Sequence, residues 1–331
     1  MTLLVTGGVG FVMSNLVRHW LESYPEDECV VLDSARPDRV THRFFGSLGD
    51  RMRFVEADIR DASVWPVDLE RITHVVHGAT ITSPAQAEVE AARWFIDVNV
   101  MGTLAVLEWA RRLPALRRLI YVSSGSVYGD SAPPRRGEAV REGHRAEPRD
   151  VYAISKFAAE RLVERCAAPL GIDAAIVRLS TVYGPMDRSG QARTAGSVPY
   201  QLARMAVRGE RIAIDSLDDG ADWVHTEDVA SAIVALLRRP GLQHCVYNVA
   251  YGQLVPVGEL LRIAATAIPD FGYTVVEPEA ATLRTRPRSH GAAWAAYDTG
   301  RLRSEVGWHP ESIDSRFASY LRWVQAQQEA V

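Results

Sequence analysis

Short apolar runs alternate with helix-like stretches along this 331-residue chain as far as Leu179. The runs lack polar alternation, which is typical of parallel strands buried on both faces. They lie at Leu3–Val5, Val30–Leu32, Phe54–Val55, Val75–Val76, Leu119–Val122 and Ala174–Leu179. Between them, helices are predicted over Phe11–Glu22, Ala91–Arg112 and Val151–Ala167. This alternation predicts an α/β fold with a Rossmann-type, doubly wound parallel sheet.

Beyond Leu179 the pattern becomes less regular. Helices are predicted near Val198–Arg208, Glu227–Arg238, Val257–Ala267 and Ser312–Gln328, and short strands near Ile212–Ile214, Val246–Val249 and Tyr273–Val276. We predict a first domain over residues 1–179, to which segments of 211–250 return, and an interwoven, smaller mixed domain mainly over 180–331. Ser131–Arg149 is predicted to be an exposed excursion, and Arg284–His290 a second polar loop.

The first predicted strand runs into a glycine-rich turn and then into a helix. Glycines let the backbone approach a pyrophosphate closely, and the amides at the helix N-terminus bind that anion. Asp33 ends the second strand, where a carboxylate accepts the ribose hydroxyls of a dinucleotide and repels a 2′-phosphate. The pattern therefore favours NAD over NADP. The predicted contacts are Gly7, Gly10, Phe11, Val12 and Asp33. Met13 replaces the third glycine of the pattern and should widen the packing of helix on strand.

Composition and charge narrow the class of protein. A formal net charge of −4 argues against a nucleic-acid partner, because nucleic-acid binders are usually basic. The sequence has no apolar run long enough to span a membrane. The strand pattern starts at Leu3 and leaves no room for a presequence, and three scattered cysteines suit a reducing compartment, so we expect a cytoplasmic protein. No cluster of residues has the spacing of metal ligands.

Lys156 is the only lysine among 37 basic Lys and Arg residues. It follows Tyr152 by four residues on a predicted helix that Asp150 can cap, so the two side chains share a face. With 11 tyrosines and one lysine, a Tyr-x-x-x-Lys match is expected by chance only about 0.03 times. Ser124 follows the strand Leu119–Val122, at the edge where doubly wound sheets bind ligands.

With these residues in place, the chain resembles the extended short-chain dehydrogenase/reductase family, which includes NAD-dependent sugar epimerases and dehydratases. The resemblance covers nearly the whole chain. The matching segments are Thr6–Val12, Asp58-Ile59, His77-Gly78-Ala79, Asn99–Thr103, Ser124, Tyr152, Lys156, Arg178–Pro185, Trp223–Val229 and Tyr247-Asn248-Val249.

The resemblance implies roles for individual residues. Tyr152 acts as the base toward a secondary alcohol, Lys156 lowers the pKa of that phenol and donates to the nicotinamide ribose, and Ser124 steadies the reacting oxygen. Further NAD contacts are implied for Asp58 and Ile59 at the adenine, for Ala79 and for Asn99. It also implies a homodimer built from the helices Ala91–Arg112 and Val151–Ala167 of each subunit.

The family includes several reactions, and departures from its motifs narrow the choice. Dehydratases carry an Asp-Glu pair directly after the catalytic hydroxyl, whereas this chain has Gly125 and Ser126. Two hypotheses about the activity remain: an epimerase that keeps its NAD, or a dehydrogenase that binds NAD reversibly. A catalytically silent, cofactor-sensing protein is a remote alternative, because such proteins usually lose the tyrosine or the lysine.

Substrate recognition departs from the family pattern as well. Nucleotide-sugar enzymes place an arginine where this chain has Ala221, so either another arginine clamps the diphosphate or the substrate is a smaller sugar or hydroxy acid without a nucleotide. His225 is expected to have a structural role and Trp223 to be core. The predicted substrate contacts are Thr82, Ser124, Ser126, Thr181, Arg286 and Arg288, with Ser83 and Arg193 as further candidates.

Overall fold

A parallel sheet of seven strands forms the centre of the protein. The computed structural model describes residues 1–61, 65, 68, 70–82, 89–129, 138–188, 196–285 and 295–328. Across the sheet, the strands are β11 (Val246–Val249), β6 (Ala174–Leu179), β5 (Arg118–Ser124), β4 (His74–His77), β1 (Thr2–Thr6), β2 (Glu28–Asp33) and β3 (Met52–Glu56). All the pairings are parallel, so the predicted Rossmann-type sheet is confirmed.

The strand order reverses beside β1. The chain proceeds from β1 through β2 to β3 on one side and then returns to β4 on the other. Ligands of doubly wound sheets bind outside the carboxyl ends of the strands at such a switch point. The glycine turn after β1 lies there, next to the residues that follow β4.

Helices cover both faces of the sheet. One apolar layer contains Leu16 and Trp20 of α1 (Phe11–Ser23) together with Ile233 of α7 (Thr226–Arg238). The opposite layer contains Val106 of α4 (Gly102–Ala110) and Val163 of α5 (Val151–Cys166). The remaining helices are α2 (Arg39–Phe45), α3 (Ala92–Phe95), α6 (Val198–Val207), α8 (Val257–Ala267), α9 (Gly300–Val306) and α10 (Ile313–Gln328). Among the described residues, no helix combines the length and apolarity that crossing a bilayer requires.

The helix predicted over Ala91–Arg112 is present over residues 92–110, but it is not a regular α-helix throughout. A π turn at Ile96–Met101 separates α3 from α4. This turn contains Asn99, whose side chain accepts a hydrogen bond from the Ile81 amide (2.9 Å) and donates to Ser155 Oγ (2.9 Å). Single π turns within helices are common at functional sites, because they redirect a side chain without ending the helix. Here the redirected side chain is that of Asn99.

A second core lies around α6, α8 and α10. Three two-stranded sheets border it: β7 (Thr181–Tyr183) with β10 (Trp223–His225), β9 (Gly220–Ala221) with β12 (Val255–Pro256), and β8 (Ile212–Ile214) with β13 (Tyr273–Val275). β8 and β13 were predicted, whereas β7, β9, β10 and β12 were not. Strands of two or three residues carry too little periodicity to be recognised from the sequence.

The segment that follows β5 returns to the sheet. Residues 130–137 lie outside the described part of the chain, but Val140 is buried and accepts a hydrogen bond from Asn248 Nδ2 (2.9 Å). The amide of Asn248, in β11, donates to Glu142 Oε1 (2.9 Å). The prediction that Ser131–Arg149 is an exposed excursion is therefore wrong at Val140, because β11 supplies hydrogen-bond partners that local sequence does not reveal.

Candidate active site

The glycine turn after β1 leaves space for a bound group. Gly7 has a φ of +71°, and a Cβ there would come within 2.7 Å of Ala79 Cα in the loop after β4. Thr6 Oγ1 accepts a hydrogen bond from the Ala79 amide (3.2 Å), which ties the ends of the two strands together. Gly10 precedes α1 and supplies no side-chain cap to its N-terminus. This is an amide-lined cradle of the kind that receives a pyrophosphate.

Asp33 borders the same turn. Its carboxylate accepts hydrogen bonds from the amides of Val9 (3.0 Å) and Ala35 (3.0 Å). Burial raises the pKa of Asp33 above its ordinary value, although these backbone amides partly oppose the effect. The structure therefore brings together Gly7, Gly10 and Asp33, as the cofactor pattern predicted, and the donors and acceptor suit NAD.

Met13 occupies space that Gly78 provides. Met13 is buried, and a Cβ on Gly78 would overlap its sulfur and Cγ. The missing third glycine is thus compensated by a glycine at the end of β4 rather than only by a wider gap between helix and strand. Local sequence could not reveal this, because the two residues belong to different strand–helix units.

The residues predicted to receive the adenine lie beyond β3. Ile59 is buried beneath Gly102, where a Cβ would come within 2.6 Å of Ile59 Cδ1. Asp58 is half-buried and forms an ion pair with Arg60 (2.6 Å). Hydrogen bonding from Arg60 lowers the pKa of Asp58. The Arg60 partner was not predicted from the sequence.

Ser124, Tyr152 and Lys156 lie around the carboxyl end of β5. Ser124 is the last residue of β5 and is half-buried. Asp150 caps α5 by accepting from the Ala153 amide (2.6 Å), as predicted. Tyr152 is half-buried one turn before Lys156, and its phenol lies close enough to Tyr121 to contribute to the raised pKa of that residue, which is mainly due to burial.

The Lys156 ammonium is buried against β5. Nζ donates to the Val122 carbonyl (2.6 Å) and lies 4.4 Å from the centroid of the Tyr121 ring. Burial lowers its pKa from 10.5 to about 7, and the charge of Glu160 only partly opposes this shift. Asn99 does not contact Lys156 directly. It donates to Ser155, whose hydroxyl donates to the Tyr152 carbonyl (2.7 Å), so it orders the first turn of α5.

Glu160 and Arg178 form a buried ion pair that the sequence analysis missed. The Arg178 guanidinium donates to both carboxylate oxygens of Glu160 (Nε–Oε1 3.0 Å, Nη2–Oε2 2.7 Å), and it lies over the Tyr128 ring. A signal was present, because Glu160 continues the four-residue spacing of Tyr152 and Lys156, and Arg178 interrupts the apolar strand β6.

The predicted substrate contacts divide into three groups. Ser126 lies beside Ser124 and donates to its Oγ (3.0 Å). Thr82 is half-buried in the loop after β4, and Thr181 is exposed at the start of β7. Ser83, Arg193, Arg286 and Arg288 lie outside the described residues.

Three further positions from the sequence analysis belong to the second core or its border. Ala221 is buried in β9 and supplies no cation. Trp223 is core, as expected. His225 caps α7 by accepting from the Glu227 amide (3.2 Å), and burial together with the charge of Arg316 lowers its pKa to about 3. This agrees with a structural role for a neutral imidazole.

Asp222 is a buried carboxylate that sequence reasoning did not single out. It accepts hydrogen bonds from the amides of Tyr251 (2.8 Å), Gly252 (3.0 Å) and Tyr297 (2.9 Å). Burial raises its pKa to about 7, with the amides opposing the shift. Asp222 therefore joins two distant segments, at Tyr251–Gly252 and at Tyr297, next to Ala221. Within the described residues, no three His, Cys, Asp or Glu side chains are grouped as metal ligands.

Comparison with known proteins agrees with this geometry. The model of the NAD dependent epimerase/dehydratase family matches residues 3–250. The chain is similar to a UDP-glucose 4-epimerase of Streptomyces lividans (28% identity over 96% of this chain and 93% of that one) and to a dTDP-glucose 4,6-dehydratase of Mycobacterium tuberculosis (27% identity over 95% and 89%). Its fold is similar to that of a UDP-glucose 4-epimerase from Stenotrophomonas maltophila (TM-score 0.79, 23% identity, both chains fully covered). The predicted family resemblance and NAD as cofactor are thereby confirmed.

Proposed function

The chain belongs to the NAD-dependent epimerase/dehydratase family, and from that premise we propose that it is an epimerase acting at a secondary alcohol of a sugar. One observation carries the proposal. Lys156 is held beneath the end of β5 by the Val122 carbonyl and the Tyr121 ring, one helical turn from Tyr152 and beside the strand that ends in Ser124. These contacts support the proposal that the Tyr152 phenol, the Lys156 ammonium and the Ser124 hydroxyl act on the same substrate oxygen.

The cofactor cradle assigns positions to the parts of NAD. The amides after Gly7 and Gly10 would hold the pyrophosphate, and Asp33 would accept the ribose hydroxyls. Further contacts are proposed from Phe11, Val12, Asp58, Ile59, Ala79, Asn99, Tyr152 and Lys156. When bound, the cofactor supplies the hydride acceptor in its oxidised form and the hydride donor in its reduced form.

The residues of the chain handle the proton. Tyr152 takes the proton of the substrate hydroxyl, which a phenol with an ordinary pKa near 10 does poorly at neutral pH. The Lys156 ammonium favours the phenolate, and Ser124 donates to the substrate oxygen as negative charge develops there. In an epimerase the proton then returns from Tyr152 to the product hydroxyl.

Elimination of water is not part of the proposal, although one relative is named as a dehydratase. The two positions after Ser124 are Gly125 and Ser126, neither of which carries a carboxyl group. Gly125 is buried, and the space beside it holds the ring of Tyr297. General acid–base catalysis of elimination needs a titratable group in reach of the leaving group, and these positions provide none.

The proposed substrate is a nucleoside diphosphate sugar. The names of the relatives support this, since they act on UDP- and dTDP-linked glucose. We propose substrate contacts from Thr82, Ser126 and Thr181, and a diphosphate clamp by Arg286 and Arg288. The buried Ala221, which supplies no cation, favours a second candidate: reversible oxidation of a polyhydroxy substrate without a nucleotide.

Cofactor content and product stereochemistry test the proposal. We expect the purified protein to release near-stoichiometric NAD only on denaturation and to convert UDP-glucose or another nucleotide sugar to an epimer without accumulating NADH. A Tyr152→Phe variant should keep its NAD and lose turnover. Protein that is isolated without NAD and that accumulates NADH when NAD and a non-nucleotide substrate are added would establish the second candidate instead.

We also propose a cytoplasmic homodimer. Its basis is an apolar surface on the helices named in the sequence analysis, formed by the exposed side chains of Trp94, Met101 and Ile154. Light scattering after size exclusion should give twice the mass of the chain, and Ile154→Glu should give a monomer. Leu254→Glu, at an exposed leucine outside these helices, is the matched control and should stay dimeric.

A further inference from the structure

We propose that the phenol of Tyr297 is a substrate-contacting hydrogen-bond donor beside Ser124, and that Gly125 is the residue that admits it. The proposal rests on the proposed function, since it extends the same site. Tyr297 was not singled out from the sequence, where it lies 173 residues after Ser124.

The ring of Tyr297 fills the space beside Gly125. A Cβ at this position would come within 2.7 Å of both Cε1 and Cζ of Tyr297 and closer still to the hydroxyl. Real Cβ atoms do not approach ring or backbone atoms so closely, so any other residue would displace the ring. Gly125 is joined directly to Ser124, and the phenol therefore lies at the end of β5 that carries the catalytic hydroxyl.

The backbone of Tyr297 is held from two sides. Its amide donates to Asp222 Oδ2 (2.9 Å), and the residues around it pair with Val140. In that pairing the Val140 amide donates to the Ala296 carbonyl (2.7 Å), and the Asp298 amide donates to the Val140 carbonyl (2.8 Å). The backbone that carries the ring is thus held by two other segments of the chain, around Asp222 and Val140.

The ring itself packs against Tyr128, with centroids 5.8 Å apart. Tyr128 is fixed in turn, because its hydroxyl donates to Asn248 Oδ1 (2.6 Å). Val127, Tyr128, Val140 and Ala295 form a small apolar cluster against which Tyr297 lies. A group that contacts a substrate must be held in one geometry, and this packing provides it.

The chemistry of the group fits a donor rather than a base. Tyr297 is half-buried, and its hydroxyl lies next to Gly125. Burial raises its pKa, so the phenol stays protonated at neutral pH, and the nearby charge of Asp222 acts in the same direction. A neutral phenol beside Ser124 suits a hydroxyl of the sugar next to the reacting carbon. Tyr297 would then donate a hydrogen bond as a neutral phenol, whereas Tyr152 would accept a proton as a phenolate.

Removing one oxygen atom tests the proposal. In the NAD-bound enzyme, Tyr297→Phe should lower kcat/KM about 10-fold, mostly through KM, as expected for one lost hydrogen bond, while NAD content and Tm stay unchanged. The matched control is Tyr183→Phe, which removes a buried phenol oxygen from the second core and should leave kcat/KM unchanged. Full kcat/KM in Tyr297→Phe, or an equal loss in both variants, would overturn the proposal.

The role of Gly125 is tested by non-additivity. Gly125→Ala should displace the ring and lower kcat/KM at least as far as Tyr297→Phe, whereas adding it to Tyr297→Ala, where the space is free, should have little further effect. Equal effects in both backgrounds would contradict the pairing of these residues.

Binding of UDP-glucose to the NAD-bound enzyme, measured by calorimetry, separates the two proposals. Weaker binding to Tyr297→Phe without wild-type turnover refutes only the proposed function. Equal binding and equal turnover refute only the role of Tyr297. A wild-type enzyme that neither binds nor converts any sugar of a panel with and without nucleotide groups refutes both.

Discussion

Two buried cations, Lys156 of α5 and Arg178 of β6, are stabilised in different ways. Arg178 donates to both oxygens of Glu160, and these bonds outweigh the effect of burial and raise its pKa. Lys156, one turn before Glu160 on α5, donates to a backbone carbonyl and lies over an aromatic ring. Burial lowers the pKa of Lys156 to about 7. The charge of Arg178 is therefore paired with a carboxylate, whereas the cost of burying the charge of Lys156 is only partly compensated.

The difference in pairing indicates that the Arg178 and Lys156 side chains have separate roles. A bidentate guanidinium–carboxylate pair is rigid and permanently charged, which suits a structural link between α5 and β6. An ammonium with a pKa near neutrality is costly for the fold, and groups of this kind are concentrated at functional sites. The partners that would complete its environment are proposed to be the ribose of NAD and the Tyr152 phenolate. Three predictions follow from this contrast.

The largest effect is expected where the paired cation is lost. Arg178→Met leaves the Glu160 carboxylate buried without its partner and should reduce the free energy of unfolding by about 3–5 kcal/mol. Urea unfolding followed by circular dichroism measures the change. Replacing both residues, as in Arg178→Met with Glu160→Met, should recover most of the loss, because an apolar pair needs no compensation. A double variant as unstable as the single one would contradict this account.

The next effect concerns the identity of the unpaired cation. Lys156→Arg keeps the charge, but the planar guanidinium is too broad for the space between Val122 and the Tyr121 ring. We expect kcat to fall about 100-fold or more, corresponding to about 2.7 kcal/mol in the activation free energy. The measurement is steady-state turnover of the NAD-bound enzyme at pH 7–9. Full turnover would show that the survival of a single lysine in this arginine-rich chain is accidental.

The smallest effect is expected on the stability of the protein when the buried charge of Lys156 is removed. Lys156→Met removes a charge that the fold disfavours and should raise the free energy of unfolding by about 2 kcal/mol at pH 6, while turnover is lost. Between pH 7 and 10.5 the unfolded wild-type chain binds more protons at this lysine than the folded chain, so wild-type stability rises with pH in this window.

The Lys156→Met variant should lack this pH-dependent gain in stability. The stability difference between the variant and the wild-type protein should therefore shrink as pH rises from 7 toward 10. Unfolding curves measured in parallel at several pH values test this. A difference that is constant with pH would show that Lys156 keeps its ordinary pKa in the folded protein.

Local sequence predicted the parts of the molecule that arise from short-range patterns. Each of the seven strands of the sheet contains a short apolar run, and the cradle at Gly7 and Gly10 follows the first strand directly. The four-residue spacing of Tyr152 and Lys156 was sufficient to place both on one face of α5. The same spacing extends to Glu160, but its partner Arg178 lies on another strand, and the sequence provides no rule for pairing them.

Features that depend on distant segments were missed or mispredicted. The π turn that interrupts the helix predicted over Ala91–Arg112 directs Asn99 toward Ile81 and Ser155. Val140 is buried through Asn248 of β11 rather than through any local pattern. The contact of Val140 joins residues more than a hundred positions apart. The periodicity of local sequence does not predict contacts of this kind.

The sequence by itself determined the sheet, the glycine cradle, the residue types at the chemical end and the family, because each depends on a few consecutive residues or on helical spacing. Only the tertiary structure decided how the substituted positions are compensated. Met13 fits because Gly78, directly after another strand, lacks a side chain, and Gly125 leaves room that the Tyr297 ring fills. Close packing makes the volume at one position depend on a residue elsewhere in the chain, and that dependence exists only once the chain is folded.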